Sequence, residues 1–223
     1  MKTKEKLIRH DHNQDGLERR GFLQCMAWAG TGMLWASAGG ALASRILQPV
    51  NAAAAEAKAA VGADFSFVQI SDSHIGFGKD PNKDVVGTLQ AAVDKINGLP
   101  QSPAFVLHTG DLTHLAKPEE FDTVAEVLKG VKAKVFYVPG EHDFDGDENK
   151  LYLECYGKGT MGTGWHSFDH KGVHFVGLVN VANAKSGSMA GLGQLGTEQL
   201  AWLSKDLQGL AASKPVVVFA LPA

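Results

Sequence analysis

The sequence predicts an α/β fold built on a parallel β-sheet, with polar groups gathered at one edge of that sheet. Three short apolar runs, at 67–70, 105–107 and 135–138, are rich in β-branched and aromatic residues, as buried strands are. About 30 to 40 residues separate the acidic groups that follow these runs, which is room for one strand, one helix and two loops. We therefore expect a β-α-β-α-β order with right-handed crossovers between parallel strands.

Acidic and histidine residues follow each of the three runs directly. Parallel strands bring their carboxyl ends to one sheet edge, where open α/β folds bind ligands. Carboxylate oxygens and imidazole nitrogens suit hard or borderline divalent metals. The pattern is that of a metal-dependent hydrolase. In chain order, the first, second and third motifs are Asp72-Ser73-His74, Gly110-Asp111 and Gly140-Glu141-His142-Asp143.

The first two motifs predict a shared metal site. If the chain leaves the first strand in extended form, Asp72 and His74 point the same way and can face one metal. The carboxylate of Asp111 can bridge two metals through its two oxygens. Gly110 permits a sharp turn and a close approach to the site.

The third motif adds an oxygen ligand and a proton donor. Glu141 can offer oxygen to a second metal, and His142 can act as a general acid when it is protonated. Two metals roughly 3.5 to 4 Å apart would clamp a phosphate ester and activate a hydroxide between them.

Helices and further strands are expected between and after the motifs. Apolar residues at three- and four-residue spacing predict one helix over 80–98 and another from Pro118 to Gly130. Two runs joined by His170-Lys171-Gly172 predict a hairpin. Thr197 is expected to cap a last helix whose Leu200, Trp202 and Leu203 lie in the core, before a buried strand at 215–220.

The N-terminal segment has the layout of an export signal. Residues 1–20 are polar and basic, residues 21–44 carry no charge, and residues 52–55 are four alanines. The pair Arg19-Arg20 resembles the twin-arginine signal. A retained membrane anchor is the alternative, because 24 uncharged residues could cross a bilayer of about 30 Å. Glycines in the stretch and the alanine tract favour a cleavable signal.

These features divide the chain into a signal over 1–55, a linker over 56–64 and a domain over 65–223. Cleavage after residue 54 or 55 would leave about 165 residues, enough for one domain with a core. We expect the twin-arginine export machinery as a partner, only transient membrane contact, and a periplasmic or extracellular location.

Composition excludes some function classes. The net charge is −3 and the basic residues form no patch beyond the signal, so nucleic acid is not an expected partner. Cys25 lies in the predicted signal and Cys155 is the other cysteine, so the domain cannot form an intramolecular disulfide.

The three motifs together resemble the calcineurin-like metallophosphoesterases, whose motifs run Asp-x-His, Gly-Asp and Gly-Asn-His-Asp/Glu. The resemblance covers about residues 65–220 and includes the hairpin and the last helix. It implies a sandwich of mixed sheets flanked by helices, a phosphoester substrate and two divalent ions, of Fe, Mn or Zn. It also implies that Asp72 and His74 bind the first metal, Asp111 bridges, Glu141 binds the second, and His142 is a general acid held by Asp143.

Two departures from the family pattern bear on activity. The family's asparagine is Glu141 here, which is longer and adds a negative charge that repels a phosphate anion. The family's later histidines, including a Gly-His-x-His motif, have no counterpart before Ala223. We therefore expect the front part of a metallophosphoesterase. The alternatives are an active enzyme and a truncated, inactive fragment that binds at most one metal weakly. A binding module that uses the sheet edge is a third class.

Histidines outside the motifs have mainly structural interpretations. His108, at a strand end, is expected to be packed. His114 is expected to lie near the site as a loop residue, with a substrate contact as the alternative. His166, His170 and His174 are expected at surface or interface positions, with a zinc site as the alternative.

Overall fold

The computed structural model describes residues 32–38, 41–47, 64–145, 149–181 and 193–221. No helix in these ranges is both long enough and apolar enough to cross a membrane. A short 3-10 turn spans Glu141–Asp143. The strands are β1 (Gly32–Ala38), β2 (Ala41–Leu47), β3 (Phe65–Ile70), β4 (Phe105–His108), β5 (Lys134–Tyr137), β6 (His166–His170), β7 (Val173–Gly177) and β8 (Val216–Phe219), and the helices are α1 (Val85–Asn97), α2 (Pro118–Leu128), α3 (Lys150–Tyr156) and α4 (Gly196–Leu207).

The strands form two sheets. The larger has the order β2-β1-β3-β4-β5, and its β3, β4 and β5 are parallel. The smaller has the order β6-β7-β8, with β6 antiparallel and β8 parallel to β7. The predicted β-α-β-α-β order is therefore confirmed over β3 to β5, and the predicted hairpin is confirmed as β6 and β7.

Aromatic side chains fill the space between the sheets. The ring of Phe67 lies 5.1 Å from that of Phe105 and 5.4 Å from that of Phe175, which comes from the smaller sheet. Helices α1 and α2 cover the opposite face of the larger sheet through buried residues such as Val93 and Phe121. The predicted sandwich of mixed sheets flanked by helices is confirmed.

Two strands lie inside the segment that the sequence predicts as an export signal. β1 and β2 pair with each other, and β1 pairs antiparallel with β3. Leu34 is buried, and the ring of Trp35 stacks on Phe67 with centroids 6.0 Å apart. The other parts of the predicted signal, including its paired arginines, and nearly all of the linker lie outside the described residues.

Local side-chain contacts set where the helices begin. The predicted helix at 80–98 begins later, at Val85, because the Asp84 side chain accepts a hydrogen bond from Gly87 N at 2.8 Å. α2 begins at Pro118, as predicted. α4 begins at Gly196, so Thr197 lies within the helix and is not its cap; that prediction was wrong.

The buried residue of α4 is a glutamine and not a leucine. The amide of Gln199 donates to the carbonyl of Val179 and accepts from its N–H, both at 2.8 Å. Leu200 is 51% exposed, and Trp202 and Leu203 are half-buried. The prediction that these three residues form core was therefore wrong for Leu200 and only partly right for the other two.

The smaller sheet buries two histidines that were expected at surface or interface positions. His174 lies between two carboxylates, with Nδ1 3.1 Å from Asp169 and Nε2 2.8 Å from Asp206 of α4. His166 is also buried, beside the rings of the inter-sheet core. Contacts with carboxylates and ring packing give these side chains partners that the hairpin pattern does not reveal.

A single carboxylate joins the second and third motifs. Asp143, at the end of the 3-10 turn, accepts hydrogen bonds from three backbone N–H groups: Gly140 at 2.9 Å, Thr113 at 2.9 Å and Leu112 at 3.2 Å. The Thr113 hydroxyl donates a fourth at 2.9 Å. Because these loops follow β4 and β5, the carboxylate fixes the relative position of the two strand ends.

A buried histidine supports the same sheet edge from within β4. His108 is fully buried, and its Nε2 lies 2.7 Å from the hydroxyl of Ser73 in the first motif. Burial lowers the pKa of His108 to about 3, so the ring is neutral in the folded protein at neutral pH. The expectation that His108 is packed is confirmed.

We predict that Asp143→Ala lowers the free energy of unfolding by about 2–4 kcal/mol, because it leaves three buried N–H groups without an acceptor. Urea unfolding measures the change. Asp145→Ala is the matched control, since Asp145 is exposed, and should stay within about 0.5 kcal/mol of wild type. Equal effects of the two substitutions would contradict the role given to Asp143.

We predict that acid destabilises the protein through His108. Between about pH 6.5 and 3 the unfolded chain binds a proton at His108 and the folded chain does not, so stability falls as the pH falls. The slope contributed is up to about 1.4 kcal/mol per pH unit. Unfolding of wild type and His108→Gln at pH 7, 6 and 5 should show a flatter dependence in the variant. Parallel curves would contradict this assignment.

Candidate metal centre

Backbone hydrogen bonds continue the sheet pairing beyond the strand ends and bring the first two motifs together. Asp72 N donates to the carbonyl of Gly110, and His74 N donates to that of Asp111, both at 3.0 Å. Ile75 and Thr113 then form an isolated parallel bridge. The first loop is thereby held beside the second from Asp72 to Ile75.

Three residues of the motifs adopt left-handed backbone conformations. The φ angles of Asp72, His74 and Asp111 are 57°, 42° and 51°. The expectation that the chain leaves the strand in extended form was therefore wrong, although both side chains of the first motif do reach one centre. Left-handed residues other than glycine are unfavourable by about 1–3 kcal/mol each and persist where the surroundings hold them, commonly at functional sites.

Two glycines allow the second and third motifs to touch. Gly110 has a φ of 108°, and a Cβ added there would lie 2.8 Å from the backbone N of Gly140. A Cβ added at Gly140 would collide with the carboxylate of Asp111. The close approach predicted for Gly110 is confirmed, and Gly140 allows the same approach from the third motif.

The structure brings all four predicted metal ligands into one cluster. Nε2 of His74 lies 3.8 Å from Oδ1 of Asp72 and 3.6 Å from Oδ2 of Asp111. One group of potential ligand atoms within 4.8 Å of one another belongs to Asp72, His74 and Asp111, and a second to Asp111, Glu141 and His142. Asp111 belongs to both groups, as a bridging carboxylate would.

The electrostatics of the cluster favour a bound cation. Burial, and then the neighbouring carboxylates of Glu141, Asp72 and Asp143, raise the pKa of Asp111 well above its usual range. Oε2 of Glu141 is buried and has no hydrogen-bond partner in the described part of the chain. Oxygen and imidazole donors of this kind fit a divalent ion, which would relieve the repulsion between the carboxylates.

His142 is held by a different partner from the one predicted. Its Nδ1 lies 2.7 Å from the backbone carbonyl of His114, and its backbone N donates to Oδ1 of Asp111 at 3.0 Å. The Asp143 carboxylate accepts from backbone groups of the loops instead. Asp143 therefore orders the turn that carries His142, and the carbonyl of His114 orients the ring.

His114 belongs to a group of potential metal ligands in the cluster, whereas the sequence predicted only a loop position near the site. Its side chain is buried, and its ring is nearly parallel to that of His142, with centroids 5.0 Å apart and 15° between the planes. The signal available in the sequence is its position three residues after Asp111. That spacing indicates proximity only once the bridge between Ile75 and Thr113 is known.

Similar proteins are phosphoesterases. A probable cyclic nucleotide phosphodiesterase of Rhodopseudomonas palustris is 36% identical over 83 residues, 34% of this chain and 29% of that protein. A probable glycerophosphodiester phosphodiesterase of Arcobacter nitrofigilis is 30% identical over 162 residues, 68% and 55% of the two chains. The chain thus spans about half or less of these relatives' lengths. The purple acid phosphatase PPD1 from yellow lupin seeds superposes with a TM-score of 0.47 and 12% identity, covering 70% of this chain and 32% of that one.

The family model of the calcineurin-like phosphoesterases matches residues 65–220. This range contains all three motifs, nearly all of both cores that flank β3 to β5, and the second sheet. The match covers well over half of the chain, and the chain therefore belongs to the calcineurin-like phosphoesterase family.

Proposed function

We propose that this protein hydrolyses a phosphate mono- or diester in a metal-dependent reaction. The observation that carries the proposal is the pair of ligand groups that share Asp111, because two adjacent ions are the arrangement that clamps a phosphoryl group. The names of the relatives from Rhodopseudomonas palustris and Arcobacter nitrofigilis, both phosphodiesterases, support diesters as the first substrates to test.

The residues divide between two ion positions in this proposal. Asp72 and His74 would hold one ion, Glu141 would hold the other, and Asp111 would contact both. Iron, manganese and zinc suit this mixture of oxygen and nitrogen donors. Bound ions of this class supply Lewis-acid activation of water and of the phosphoryl oxygens.

His142 is the proposed proton donor to the leaving oxygen of the ester. The contact of its Nδ1 with the carbonyl of His114 requires the hydrogen to sit on Nδ1, since a carbonyl can only accept. Nε2 is then the nitrogen that carries or releases the transferred proton. A general acid placed in this way contributes typically about 10²–10⁴-fold to the rate.

Glu141 should make the site less attractive to anions than the asparagine of the family pattern. Its carboxylate adds negative charge beside Asp111, whose pKa it already raises. We propose that this charge weakens the binding of an anionic phosphoester, and that a bound cation offsets part of the effect.

We predict that Asp111→Asn reduces hydrolysis of bis(p-nitrophenyl) phosphate by more than about 100-fold and lowers the number of bound ions, because the shared ligand loses its charge. Rates and metal content are measured on the same preparations. Asp122→Asn is the matched control, since Asp122 is exposed on α2, and should keep wild-type values. Retained hydrolysis in Asp111→Asn would contradict the proposal.

A non-catalytic chain that binds at most one ion weakly is the second candidate. Beyond the shared Asp111, the second ligand group contains only Glu141 and His142, and the first proposal assigns His142 to proton transfer. Measurements of bound metal and turnover on the 223-residue protein distinguish the two candidates. Two ions per chain with turnover of an aryl phosphate would exclude the second, and one weakly bound ion without turnover would support it.

We further propose export through the twin-arginine pathway, on the basis of Arg19-Arg20 and the uncharged stretch after them. Cleavage near residue 54 would remove β1 and β2 and uncover the edge of β3.

We predict that replacing both arginines by lysine keeps the protein in the cytoplasmic fraction, because the paired arginines are the recognised feature. Immunoblots of cell fractions test this, with Arg9→Lys as the control. Normal export of the double variant would contradict the proposal.

A further inference from the structure

Three buried histidines form a nitrogen-only group at the candidate metal centre. Potential ligand atoms of His74, His114 and His142 lie within 4.8 Å of one another. The ring of His74 is edge-on to that of His142, with centroids 4.8 Å apart, and its centroid is 5.7 Å from that of His114. Each histidine comes from a loop that follows a different strand of the parallel sheet.

The main chain places His114 firmly in this group. His114 N donates to the carbonyl of Ile75 at 2.9 Å, which anchors it to the first loop, and its own carbonyl contacts the ring of His142. The edge of Phe77 packs against the ring, with centroids 5.0 Å apart. The backbone and ring of His114 are therefore held against both of the other histidines.

We propose that His114 is a metal ligand, and that His74, His114 and His142 form a three-imidazole site for a zinc, copper or nickel ion. This inference rests on the proposed function, whose centre shares two of the three side chains. Three neutral imidazoles prefer zinc, copper and nickel over magnesium or calcium, which prefer oxygen donors. Their potential ligand atoms already lie within 4.8 Å of one another, and a bound zinc ion would draw them to Zn–N distances of about 2.0–2.1 Å.

The carbonyl of His114 supports the same assignment. Metal-binding histidines commonly donate their second ring N–H to a carboxylate or a backbone carbonyl, which fixes the tautomer and orients the ring. Nδ1 of His142 has such a contact with His114 O at 2.7 Å. His114 thus contributes its ring to the group and also directs Nε2 of His142.

Occupation of this site conflicts with proton transfer by His142. One nitrogen cannot bind an ion and donate a proton at the same time. An ion held by the three histidines would therefore suppress the proposed general acid, so excess zinc is expected to lower turnover. The site would then make activity sensitive to the concentration of zinc, copper and nickel ions.

Copper binding to the metal-free full chain tests the proposal without measuring activity. The electron paramagnetic resonance spectrum with one equivalent of Cu²⁺ should show three coordinated nitrogens in wild type. His114→Phe keeps a ring for packing, and its spectrum should show two coordinated nitrogens. Its zinc affinity, measured by competition with a chromophoric chelator, should be lower by at least about tenfold. His170→Phe is the control, because His170 lies on β6 outside the three ligand groups found among the described residues.

The outcomes separate this inference from the proposed function. Fewer than three nitrogens in wild type would overturn it, as would unchanged nitrogen count and zinc affinity in His114→Phe. If that variant fails to fold, His114→Gln replaces it, and the wild-type spectrum still decides. Three nitrogens in a protein that hydrolyses no phosphoester would support the site and contradict the proposed function.

Discussion

The carboxylate of Asp143 is the constraint on which the candidate centre depends. It is buried, and four hydrogen bonds from Gly140, Leu112 and Thr113 hold it in place. Burial raises its pKa, and the backbone N–H groups oppose that shift. These hydrogen bonds join the loops after β4 and β5, which fixes the spacing of the ligands that the loops carry. Asp143 acts on the chemistry through this geometry and does not itself need to touch a substrate.

Much of the fold was predictable because its signals are local. Apolar β-branched runs identified β3, β4 and β5, and the acidic residues after each run identified the sheet edge that collects them. The left-handed conformations of Asp72 and His74 were not predictable, because they result from pairing with a loop nearly 40 residues away. The burial of Gln199 was not predictable for the same reason, since its hydrogen-bond partner is the backbone of a distant residue.

The placement of His114 shows the limit of motif-based inference. A motif predicts which side chains leave one strand end, and it contains no information on how far the pairing of neighbouring loops continues. The bridge between Ile75 and Thr113 extends that pairing and carries His114 to the centre. The same effect explains why a carbonyl of the second loop, and not the adjacent Asp143, orients His142.

The charges at the centre indicate how its two kinds of ligand can compete. The carboxylates of Asp72, Asp111 and Glu141 favour a hard cation. Each neutral imidazole among the ligands of an ion favours a softer cation. His74 and His142 belong to both kinds of group, so an ion drawn toward the histidines must loosen its hold on the carboxylates. The buried carboxylates would then repel one another again; burial first, and then these neighbouring charges, raise the pKa of Asp111. This repulsion would disfavour the proposed three-histidine position, so that only ions with a strong preference for nitrogen would occupy it.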